Sequence, residues 1–65
     1  MKYTLRFETN RGSFYKVYNN DFPDMMLIRV AAGLDKERFV VVSRSPDGPQ
    51  EAIIPTRIIQ YVYPI

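Results

Sequence analysis

The chain reads as an α+β domain: a small antiparallel five-stranded sheet with one helix, in the order β-β-α-β-β-β. Three observations lead there. The N-terminus alternates polar and apolar residues with a period of two. An apolar run with helix-start and helix-stop residues follows near the middle. The second half holds short β-rich stretches separated by proline- and glycine-containing turns.

Within the first stretch, Tyr3, Leu5, Phe7 and Thr9 share one face and Lys2, Thr4, Arg6 and Glu8 the other, the pattern of a half-buried strand. Asn10, Arg11 and Gly12 form a turn cluster, with Gly12 available for positive φ. Ser13 to Asn19 is a second strand. A three-residue loop pairs Thr9 with Ser13, Phe7 with Tyr15, Leu5 with Val17 and Tyr3 with Asn19, which collects one largely apolar face. That register places Arg6 opposite Lys16.

Residues 22–32 are expected to be helical. Asp21 and Asp24 surround Phe22-Pro23, a capping-like start, and Met25 to Ala32 are mostly good helix formers. Gly33 stands where a helix-terminating glycine belongs, with Leu34 placed for the hydrophobic contact that follows it. The competing reading is a third strand through Leu27 to Ala31. Arg38 to Arg44 encloses Phe39-Val40-Val41-Val42, apolar on both faces, and reads as a central strand. Ser45-Pro46-Asp47-Gly48-Pro49 is the strongest turn signal. Glu51 to Ile54 resumes a strand, Pro55-Thr56-Arg57 interrupts it, and Tyr61 to Ile65 makes the last one. Pro55 and Pro64 lack an amide donor and belong at edges or breaks.

The stretch Ala52-Ile53-Ile54-Pro55-Thr56-Arg57-Ile58-Ile59-Gln60-Tyr61-Val62 resembles the strand, tight turn and strand that close SH3-like and Sm-like small barrels. The resemblance covers about a fifth of the chain. It implies a partial SH3-like barrel and assigns no function, since such folds host many.

Length and composition bound the function. Sixty-five residues make one small domain, 1–65, with little room for a cleft. The chain is 46% hydrophobic and 25% charged, with five Tyr and four Phe, so it is expected to fold. It has no Cys and no His, which removes disulfides, thiol catalysis, Cys-ligated zinc and the commonest general base. Ser13, Ser43 and Ser45 have no His to activate them. Asp21 and Asp24 read as helix caps, and Asp35 and Glu37, interleaved with Lys36 and Arg38, as a solvated turn. Gly12, Gly33 and Gly48 are isolated and form no phosphate loop. No enzyme, cofactor or metal site is expected. No apolar run approaches the roughly 18 residues of a membrane span, and the N-terminus is not signal-like. The expectation is a soluble cytoplasmic domain without membrane contact.

Two features point to partners. Residues 1–20 carry Lys2, Arg6, Arg11 and Lys16 against Glu8 alone, while residues 21–51 carry four basic and six acidic side chains. In the expected register Lys2, Arg6, Phe14, Lys16 and Tyr18 share the outer hairpin face, with Arg11 at the loop tip. Cations interleaved with aromatics on a sheet suit single-stranded nucleic acid, the cations meeting phosphates and the rings stacking on bases. The second feature is the helix, whose only charges, Asp24 and Arg29, lie about 140° apart at the helical 100° per residue. Phe22, Met25, Met26, Leu27 and Val30 would then need cover that one sheet cannot supply. A second copy of the chain, giving a homodimer, is the simplest candidate. The expected function is therefore a self-associating, non-enzymatic binding module for nucleic acid or another anionic partner. The alternative is a protein–protein interaction module, an adaptor or small inhibitor, using the helix and the exposed aromatics.

Overall fold

A computed structural model describes residues 2–65. It shows a small antiparallel five-stranded open sheet with one short helix. The strands are β1 (Lys2–Thr9), β2 (Gly12–Asn19), β3 (Phe39–Ser43), β4 (Gln50–Pro55) and β5 (Ile59–Pro64), in the spatial order β4-β3-β2-β1-β5. The β2–β3 junction is a single pair, Tyr15 with Ser43. Beside it, β5-β1-β2 and β3-β4 turn their inner faces to one shared core of Leu5, Phe7, Ile28, Leu34, Val40, Val42, Ile54 and Ile59.

The β1 pattern works as its alternation requires: Leu5 and Phe7 are 1% and 0% exposed. The hairpin register does not follow the expectation. Asn10 and Arg11 alone connect the strands, so Thr9 pairs with Gly12, Phe7 with Phe14, Arg6 with Tyr15, Leu5 with Lys16 and Tyr3 with Tyr18. Thr9 Oγ1 ties the turn by accepting from the Arg11 N–H (3.0 Å) and donating to the Gly12 carbonyl (2.9 Å). Gly12 takes φ +119°, a region open mainly to glycine. The slip of one residue exchanges the two faces of β2. Its pattern could not prevent this, because Phe14 and Tyr18 on one face match Tyr15 and Val17 on the other in bulk.

The helix is shorter than residues 22–32. A 3₁₀ turn over Met25–Leu27, capped by the Asp24 carboxylate accepting from the Met26 N–H (2.9 Å), leads into α1, Ile28–Ala31. The end is as expected. Gly33 sits at φ +78°, its N–H donates to Val30 O (2.9 Å) and the Leu34 N–H to Arg29 O (3.0 Å). This is the paired arrangement that closes a helix at a left-handed glycine, and the Leu34 side chain is buried beside it.

The β3 strand is interior, but Phe39 and Val41 are exposed while Val40 and Val42 are buried. Its two apolar faces therefore do not both serve the core. β5 begins earlier than expected, at Ile59, after a 3₁₀ turn over Thr56–Ile58. The buried Thr56 hydroxyl fastens this turn, donating to Glu37 O (2.7 Å) and lying 3.2 Å from Arg38 O.

Both edge strands are guarded. The Thr56 N–H donates to Arg38 O, and the Ile65 N–H to Thr4 O. Bonded pairs alternate along antiparallel ladders, so Pro55, opposite Phe39, and Pro64, opposite Leu5, turn their donorless nitrogens to the open edges. Each edge pairing is also irregular at its other end, between Val42 and Ser43 and between Glu8 and Thr9. Proline and bulges are the devices that keep sheet edges from recruiting further strands.

Candidate functional site

The observed register divides the six residues of the expected anion-binding stripe. Lys2 and Arg6 lie on the outer face of β1, and Arg11 is exposed in the turn. Phe14, Lys16 and Tyr18 lie on the inner side, opposite Phe7, Leu5 and Tyr3. Phe14 and Tyr18 pack against the core. Tyr18 stacks on Tyr3 (centroids 5.6 Å), Tyr3 meets Phe22 edge-on (5.1 Å), and the Lys16 ammonium lies 5.7 Å from the Tyr18 ring. Burial, with Tyr3 nearby, pushes the Tyr18 hydroxyl up to about 12, so it stays neutral. Arg6 faces Tyr15 rather than Lys16, and the like-charge pair expected across the hairpin does not form.

A different cluster occupies the outer face of β2-β1-β5. Arg6 stands between Tyr15 on β2 and Tyr63 on β5, its guanidinium 5.8 and 5.9 Å from the two rings. The Arg6 Nε–H donates to the Glu8 carboxylate and its Nη2–H to Ser13 Oγ (3.0 Å). Glu8 also accepts from the Ser13 hydroxyl (2.8 Å) and the Tyr63 hydroxyl (3.2 Å). The hydrogen bond to Glu8 raises the Arg6 pKa further. Burial and the same carboxylate raise that of Tyr63. Sequence reasoning missed this cluster because it depends on β5 lying beside β1. The alternating Tyr61 and Tyr63 were its only local signal.

Ser13, then Arg6 and Tyr63, hold the Glu8 carboxyl below its ordinary range against the opposing effect of burial. A carboxyl with a lowered folded pKa adds stability above its unfolded value, lost as pH falls through the folded one. The thermal midpoint should therefore drop on acidification from about pH 5 to about pH 3. Glu8→Gln should flatten part of that slope. An unchanged slope would mean the cluster does not contribute to acid sensitivity.

The expected interface residues lie in the helical segment and the approach to it. Within Met25–Ala31 Ile28 alone is buried, and Phe22, Met25, Met26, Leu27 and Val30 are all exposed, Met26 at 90%. Outward-facing Phe39, Val41 and Ile53 form a second exposed apolar group on β3-β4. No pocket opens among the described residues, and no group of three or more potential ligands could hold a metal ion there. No buried side-chain polar atom among them lacks a hydrogen-bond partner. Among the described residues no helix is long and apolar enough to cross a membrane. The chain matches no family model, no curated protein and no solved structure.

Proposed function

We propose that this chain is a small non-enzymatic interaction module that docks a partner protein through its helical segment. The observation that carries this reading is the joint exposure of Phe22, Met25, Met26, Leu27 and Val30. A seven-residue helical stretch presenting methionine and leucine suits insertion into an apolar groove, with the flexible thioethers adapting to its shape. Asp24 and Gly33 fix both ends of the segment, so little order has to be gained on binding. The strand order and the 3₁₀ turn between β4 and β5 support reading the sheet as a partial SH3-like barrel that serves as its scaffold.

Nucleic acid is the second reading. It draws on Lys2 and Arg11, which are exposed and outside the ion pairs among the described residues. It is weaker because Arg6 is already engaged by Glu8, and Lys16, Phe14 and Tyr18 are turned to the other side.

The test compares wild-type and Met26→Asp protein as immobilised bait, with washes at low and high salt. The expected result is a protein retained by the wild type through the high-salt wash. Its affinity for the variant should fall by more than about tenfold, as for a central apolar anchor. Equal retention by both baits would remove the helical surface from the function. A labelled single-stranded oligonucleotide titrated against the wild type should show no salt-sensitive binding. Affinity that falls steeply with salt would favour the second reading instead.

A further inference from the structure

The outer face of β2-β1-β5 is laid out in three rows across the strands: Val17, Thr4 and Ile65; Tyr15, Arg6 and Tyr63; Ser13, Glu8 and Tyr61. The charges within these rows, Arg6 and Glu8, sit on adjacent rows and neutralise each other, Lys2 lies beyond the rows at the start of β1, and Tyr61 and Val17 remain exposed. Tyrosine around a central arginine is the composition of interface cores, and such cores are depleted of uncompensated charge. An identical face meeting its copy normally brings like charges together. Here the Arg6–Glu8 pair is a dipole along β1, and a dipole is complementary to itself when reversed.

The geometry points to this face as the contact between two copies of the chain, packed sheet on sheet about a two-fold axis running across the strands at Phe7. That operation keeps β1 over β1 and reverses its direction. Arg6 of each copy then lies over Glu8 of the other, and Tyr61 over Tyr63. Sheets packed face to face leave about 10 Å between them, the space two layers of side chains fill. Pairing through the edges is the alternative route to a sheet dimer, and Pro55, Pro64 and the two bulges oppose it. The dimer expected from sequence is thus assigned to the sheet, and the helical surface stays open for a different protein.

The test is solution mass by light scattering, from about 10 μM to about 1 mM, the range in which a contact of modest size dissociates. Wild-type mass should rise from 7.6 kDa towards twice that value. Tyr61→Asp should stay at the one-chain mass, and Met26→Asp should follow the wild type. Amide spectra of the wild type at the two concentrations serve as a check that needs no variant. Their shifts should map to Thr4, Arg6, Glu8, Tyr15, Tyr61 and Tyr63. A wild type that stays monomeric throughout overturns the proposal. So does a dimer that survives Tyr61→Asp, or one whose shifts fall on residues 22–30. The bait comparison reads the helical surface separately, so either proposal can fail without the other.

Discussion

Phe7→Ala is expected to leave the domain unfolded or barely folded at room temperature. Phe7 is fully buried and sits at the centre of the shared core. Removing such a ring costs about 3–5 kcal/mol, because the surroundings close only partly on the cavity. In a chain of 65 residues a single core supplies only about 3–5 kcal/mol of net stability, so the loss consumes most or all of it. Urea unfolding followed by circular dichroism provides the measurement. The variant should show no folded baseline, or a midpoint close to zero denaturant. A cost below about 1 kcal/mol, the range of an ordinary surface change, would contradict the placing of Phe7.

The second large effect separates the two sides of the helical segment. Ile28 is 3% exposed and is the one helical residue in the core. Ile28→Ala should cost about 2–5 kcal/mol. Met26→Ala, two residues away, should stay within about 0.5 kcal/mol of wild type. Thermal or urea unfolding of both variants decides the point. A reversal of the two costs would mean the segment is rotated so that the methionines face inward, and the proposed docking surface would be lost with it. The contrast also bears on function. Met26→Asp is expected to weaken partner binding without unfolding the protein, whereas Ile28→Ala weakens it by loosening the segment.

Local physics makes several features legible in the chain itself. The period of two in β1 fixes which side chains enter the core, since a strand has only two faces. The Ser45–Pro49 turn, the glycine at position 33 and the prolines at 55 and 64 each exclude most backbone alternatives. Those exclusions hold wherever the residues lie in space. The five strands and the end of the helix accordingly fall close to their expected places.

The hairpin register was not legible, and the candidate site went with it. β2 carries large residues on both faces, so its own sequence is nearly indifferent to a slip of one. The choice came from contacts with other elements. On one side Phe14 and Tyr18 enter the core, and Tyr18 stacks on Tyr3. On the other side Ser13 reaches Glu8 and Tyr15 reaches Arg6, with Tyr63 of β5 completing the cluster. Helix length followed the same rule, for the apolar run sets no limit at its start, and the sheet takes up only Ile28 from it. Which stretches become strands, where the turns fall and where the helix ends follow from the residues alone, because these depend on backbone preferences and neighbours along the chain. Tertiary structure alone decided which face of β2 meets solvent, that Arg6 pairs with Glu8 rather than opposing Lys16, and which apolar residues remain exposed. Those outcomes depend on strands brought together from opposite ends of the chain.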